Sequence, residues 1–300
     1  MTSGRLGSML WIGLLLACGP AASDGNDNGM VDTTVVPTPK TTLVMVFDTM
    51  GFTNAESETV APGFDLDGVV SEDGDESTCG HGDYTAPDGT PGIDNQLATI
   101  VPLFELVGLT AAEGLLQSII EEGGLLMMIQ LDGVDDPVND DEVSLLFRTG
   151  FGSPLLGTDG KVLAGQTFTL HPESPDSLAE TASITDGVLQ AGPFTARIPL
   201  LVFGMEYELT LHNTRIRATM TEDGGMVDGL LGGSVAIDEL YAIGETAAKD
   251  DPSVLTGIQA VVSGAGDMAR DEDGQCQEIS GAFAISAVSA FFFPEENSNR

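Results

Sequence analysis

Basic residues are scarce in this chain. Ten Lys and Arg stand against 47 Asp and Glu, a net charge of −37. Nucleic-acid binding rests on Lys and Arg neutralising phosphates, so that class is excluded. Bare anionic lipid head groups are repelled for the same reason. Large aromatics are few: one Trp, Trp11, and three Tyr, which lowers any reading that needs an aromatic platform for sugars. The three histidines, His81, His171 and His212, lie far apart. Zinc sites need His and Cys at close spacing, and only His81 with Cys79 comes near that. No Gly-x-Ser-x-Gly, His-Glu-x-x-His or Gly-rich loop with Lys occurs, which removes the commonest hydrolase, metalloprotease and nucleotide motifs. Long apolar runs are also missing beyond residue 17. The nearest, Ala282 to Phe293, is interrupted by Ser286 and Ser289 and reads as a strand.

What is present is enough for a core. Apolar residues make up 42% of the chain, and 38 Gly with 15 Pro favour short strands and turns over long helices. Residues 1–17 carry Arg5 and then the run Met9 to Ala17, a signal-peptide pattern too short to span a bilayer. The run ends Leu15-Leu16-Ala17-Cys18-Gly19. This resembles the lipobox of bacterial lipoproteins. The resemblance implies cleavage before Cys18, acylation of Cys18, and anchoring to a membrane by several acyl chains. Gly19 in place of the Asp that retains such proteins at the inner membrane implies sorting to the outer membrane of the cell envelope.

Residues 18–42 read as a disordered tether. Inside it, Asp24-Gly25-Asn26-Asp27-Asn28-Gly29 has the start of a calcium-loop spacing, but Val35 stands where a twelfth-position carboxylate belongs, so it reads as linker. One domain is expected over 43–293, with a disordered tail at 294–300. With Cys18 lipidated, Cys79 and Cys276 remain. In an exported protein the pair is expected to form a disulfide, the alternative being two buried thiols. Closing so long a loop is worth roughly 4–5 kcal/mol in chain-entropy models.

Gly63 to Asn95 is the most unusual stretch. Asp65-Leu66-Asp67-Gly68, Asp73-Gly74-Asp75-Glu76 and Cys79-Gly80-His81 follow one another, and Pro87-Asp88-Gly89 to Asn95 closes it. It resembles a segment of uncharacterised acidic bacterial lipoproteins, a group that brings no activity with it. Ca²⁺ takes six to eight oxygens, and closely spaced carboxylates with Gly-permitted carbonyls supply them. Asp65, Asp67, Asp73, Asp75 and Glu76 are the first candidate ligands for Ca²⁺. A second acidic loop offers Asp135, Asp136 and Asp140. A plain solvated loop is the alternative for both.

Periodicity predicts helices over 96–107, 111–122, 234–244 and 252–264, with Asn95 capping the first. Strands are predicted from Thr41, at 125–131, 143–148, 167–171, 183–190, 194–203 and 205–221, and at 279–293. In Met205 to Thr221 the alternation changes phase at Asn213-Thr214, which predicts a bulge. The expected fold is mainly β with a few helices: an antiparallel β-sandwich or curved sheet, helices covering one end. An outer-membrane barrel is set aside, since polar residues follow Phe293 and amphipathic barrel strands are not evident.

Three functions follow as expectations. The first is a non-enzymatic structural or interaction lipoprotein with Ca²⁺-binding acidic loops, whose protein or envelope partner the residues do not identify. The second is an extracytoplasmic hydrolase using a carboxylate pair. The third is a module binding an anionic ligand through Arg197, Arg215 and Arg217, unless these pair with the acidic loops.

Overall fold

A computed structural model describes residues 40–106, 112–202, 205–247 and 252–293. Cys18, the leader, most of the tether and the tail after Phe293 lie outside the described residues.

The first strand, β1 (Thr41–Phe52), is followed by a long loop, then α1 (Leu97–Leu106) and α2 (Ala112–Glu121). Next come β2 (Leu126–Val134), β3 (Asp140–Phe151), β4 (Gln166–Leu170), β5 (Ser177–Thr185), β6 (Val188–Val202), β7 (Met205–Met220) and β8 (Met226–Ala236). The chain finishes with α3 (Ile237–Ala247), α4 (Pro252–Val262), β9 (Met268–Arg270) and β10 (Cys276–Phe292). The fold is mainly β, with the ten strands in one sheet.

That sheet is curved until it closes. β1 pairs β2, β2 pairs β3, β3 pairs β5, and β5, β6, β7 and β8 pair in turn. β8 pairs β10, and β10 returns to β1. All of these pairings are antiparallel, so eight strands form a ring without free edges. β4 and β9 are short additions to it, β4 running parallel to the end of β10.

Alternation is therefore stronger than the sequence reading allowed. Ala179, Ala182, Ile184, Leu189, Ala191, Ala196, Ile198, Leu211, Ile216 and Ala218 are buried inside the ring. Glu180, Gln190, Arg197, Glu206, Glu208 and Arg217 are exposed on its outside. A lipid-facing barrel carries the reverse pattern. Phe47, Phe147 and Phe194 link opposite parts of the core, with ring centroids 6.1 and 6.2 Å apart.

Helices cover part of the ring's outside. α1 and α2 lie against β1, and α1 and α3 against β10. This explains why β1 and β10 hold runs buried on both faces, such as Met45 to Asp48 and Ile279 to Phe283. Among the described residues no helix is long and apolar enough to cross a membrane.

Two boundaries differ from expectation, and β8 and β9 lie where no strand was predicted. The predicted strand 183–190 is a hairpin: β5 ends at Thr185 and β6 starts at Val188, with Asp186 and Gly187 at φ 51° and 77°. Both residues with positive φ make a type I′ turn, the favoured two-residue connection, and Asp-Gly is its signature. The helix predicted from Ser234 begins only at Ile237, because Ser234 and Val235 are paired on both sides, with β7 and with β10. Ladder bonds on two edges outweigh a helical spacing over three residues. The predicted bulge is present: Asn213 has φ 51°, and the β7–β8 register shifts between His212 and Arg215.

A candidate cation site in the acidic loop

The loop between β1 and α1 is laid over the outside of β8 and β10. Phe64 sits against Gly232, where a Cβ would come within 2.5 Å of the Phe64 ring. Leu97 sits against Gly281, where a Cβ would come within 2.2 Å of Leu97 Cδ1. The Cys79–Cys276 disulfide pins the loop to the start of β10. Asn95 ties the loop's end to its surroundings. Its amide donates to Thr53 Oγ1 and Pro62 O at 2.8 and 2.7 Å, and its Oδ1 accepts from Ala282 N at 3.2 Å and from Ala98 N, the predicted cap, at 3.3 Å.

Phe64 and Asp94 pair as an antiparallel bridge, which brings Asp94 beside the Asp65-Leu66-Asp67 turn. Leu66 N donates to Asp94 Oδ2 at 2.6 Å. Asp65 Oδ1 accepts from Gly68 N at 2.6 Å, and Asp67 Oδ1 from Val69 N at 2.8 Å. These turns leave each side chain a second oxygen. Asp65, Asp67 and Asp94 each offer one carboxylate oxygen, all within 4.8 Å of one another. Oxygens bound to one Ca²⁺ at about 2.3–2.6 Å fall in that range. Gly92, at φ 77°, packs against this turn; a Cβ there would come 3.1 Å from Val69 O and 3.7 Å from Asp65 Cγ.

The electrostatics are those of crowded carboxylates. Burial pushes Asp94 up to about 8, and the charges of Asp67, Asp83 and Asp267 add to the shift despite the Leu66 hydrogen bond. Burial also raises Asp83, with Asp67, Asp65 and Asp75 contributing. Asp267, also buried, is pushed up to about 7 by burial while Ser280 N and Oγ donate to it. A bound cation favours the ionised form of each of these groups.

The other sequence candidates fall elsewhere. Asp73 accepts from Gly82 N at 3.2 Å, and Glu76 opens a single 3-10 turn, so Asp73, Asp75 and Glu76 stand outside the trio. In the second acidic loop, Asp140 accepts from Asp135 N and Glu142 N, both at 2.9 Å, and Asp136 accepts from Val138 N at 2.8 Å. The hydrogen bond from Asp135 holds Asp140 below the usual carboxylate range. That loop is closed on its own backbone. His81 is a structural histidine, its Nε2 3.0 Å from Gly264 O and its Nδ1 3.1 Å from Gln96 Nε2. Arg215 and Arg217 share an outer cavity; Arg197, on β6 opposite Thr210 of β7, does not line it.

Asp94 is the member of the trio that sequence spacing missed. It lies in the same acidic stretch but far along it from Asp67, so no ligand register connects them. Compared with models of protein families, with curated proteins and with solved structures, the chain matches none.

Proposed function

We propose that this chain is a lipid-anchored, non-enzymatic protein of the cell envelope whose acidic loop is ordered by Ca²⁺. The observation that carries the reading is the convergence of Asp65, Asp67 and Asp94. Bringing three carboxylates together, one of them buried, is unfavourable without a cation and favourable with one. The lipid anchor rests on Leu15 to Cys18 and sits upstream of the described residues. A location outside the cytoplasm agrees with the Cys79–Cys276 bridge and with exposure to plentiful Ca²⁺.

Hydrolysis by a carboxylate pair has less support. The carboxyls that burial raises furthest, Asp94 and Asp267, do not line the cavity on the outside of β3, β5, β6 and β7, while Asp141, Glu142 and Glu180, which do, are exposed. A general acid needs the shifted environment and the cleft in one place.

Thermal melting with and without Ca²⁺ tests the proposal. Extracellular calcium modules bind at about 0.1–1 mM. At about tenfold excess over Kd the stabilisation is about 1.4 kcal/mol, a rise of roughly 3–6 °C for a domain of this size. An unchanged midpoint at about 10 mM Ca²⁺ would remove the cation from the function.

A further inference from the structure

A cavity of about 690 Å³ opens on the outside of the ring where β3, β5, β6 and β7 run side by side. The register explains its shape. Val143 pairs Ala182, Ala182 pairs Ala191, and Ala191 pairs Ile216, and all four are buried inside. Their neighbours point outward in two rows. One row is Ser144, Thr181, Gly192 and Arg215; the other is Glu142, Ser183, Gln190 and Arg217. Ser144, Thr181, Ser183 and Gly192 are short and form the floor, while Arg215 and Arg217 stand at the β7 end and Glu142 at the β3 end. The result is a trough with two guanidinium groups on one wall, Glu142 on the other, and Asp141 and Glu180 near it. The β7 and β3 walls are three strand spacings apart, about 14 Å.

The arginines are held in place but not neutralised. Gly192 has φ 108°, and a Cβ there would lie 2.3 Å from Thr214 O and 3.3 Å from Arg215 Cγ. The Arg215 stem therefore lies across a position that only glycine fills. Its Nε is buried and has no hydrogen-bond partner among the described residues. Arg217 sits with its guanidinium carbon 5.8 Å from the Phe64 ring centre. Ion pairs among the described residues are Lys40–Glu142, Arg148–Asp176 and His212–Glu278; neither Arg215 nor Arg217 takes part. Asp88 feels the charge of Arg217 without reaching ion-pair distance. A chain with 47 acidic residues has no shortage of partners for two arginines. A buried, unsatisfied guanidinium N–H costs free energy.

We propose that this trough binds a small zwitterion, its carboxylate or phosphate on Arg215 and Arg217 and its amine towards Glu180 and Glu142. Guanidinium groups pair with both oxyanions through two parallel hydrogen bonds. The opposite wall selects the amine. The amine offsets part or all of the oxyanion's charge, so the protein's overall negative field opposes a zwitterion's approach less than that of the free anion. Glu142 is partly engaged by Lys40 at 3.2 Å, which leaves Glu180 as the main partner of the amine. The volume is ample for a small zwitterion and lies in the range of small-molecule sites.

Calorimetric titration of the full chain in EDTA tests this independently of the cation site. The probes are glycylglycine, phosphoethanolamine, inorganic phosphate and ethylamine. At least one of the two zwitterions binds about tenfold more tightly than phosphate or ethylamine alone, and which one identifies the oxyanion. Arg217→Gln weakens that binding about tenfold or more. Glu180→Gln abolishes the preference for the zwitterion over the same oxyanion without its amine. Both positions are exposed, so unchanged melting temperatures separate lost binding from lost folding. Absence of zwitterion binding at about 10 mM, or equal binding by both variants and the parent, overturns the proposal. Phosphate binding as tightly as the better of the two zwitterions overturns it too.

Discussion

Asp94 is 4% exposed, and its carboxyl is pushed up to about 8 from 3.8. The folded state holds this proton more tightly than the unfolded chain. Stability from this group is therefore greatest at low pH and falls as pH rises from about 4 towards 8. Asp267, raised to about 7, acts in the same direction. Without divalent cation the melting temperature should fall between about pH 5 and pH 8, and Ca²⁺ should reduce that fall. Binding must also expel the Asp94 proton. Below pH 8 the apparent Ca²⁺ affinity should weaken about tenfold per pH unit, read by titration at several pH values. Asp94→Asn should abolish both the affinity and its pH slope. At this scale the sequence was only partly legible. Asp65 and Asp67 stand out from their spacing in an Asp-x-Asp-Gly turn. Asp94 does not, because its role depends on a bridge to Phe64 that no local pattern encodes.

Among the elements, α1 is the one that couples packing to the site. It starts three residues after Asp94, and its Leu97 lies in the gap above Gly281 on β10. Gly281→Val should push α1 outward and destabilise the protein by about 1–3 kcal/mol, since the space is already filled. Ca²⁺ affinity should fall with it, because Gln96 N is held by Ser280 Oγ at 2.9 Å and Asn95 by Ala282 N. Gly114→Ala on α2 is the control. Nothing lies within 4 Å of that Cβ, so the change should add about 0.4–1 kcal/mol and leave affinity alone. Denaturant unfolding and calcium titration of the two variants read both effects. Helices were legible because apolar residues at 97, 100, 101, 119 and 120 follow the helical period, and those five are buried. The β5–β6 hairpin was misplaced because its Asp186-Gly187 turn lies inside a continuous strand-like run.

Across the whole molecule, one covalent link joins the acidic loop to the last strand. Cys79 and Cys276 are 197 residues apart, so their bond constrains most of the unfolded chain. Reduction should cost about 2–5 kcal/mol, measured by denaturant unfolding with and without reductant. It should also weaken Ca²⁺ binding, since the loop loses one of its attachments. The sequence by itself determined the β-rich class, the presence of the four helices, the bulge at Asn213 and the pairing of two cysteines. Each follows from local periodicity, local backbone chemistry or a count. Only the tertiary structure decided that the sheet closes on itself, because closure depends on β10 reaching β1 across the length of the chain. It alone brought Asp94 to Asp65 and Asp67, and set Arg215 and Arg217 across a trough from Glu180. Those contacts join residues from separate strands and loops, and their register is settled by which faces the core buries.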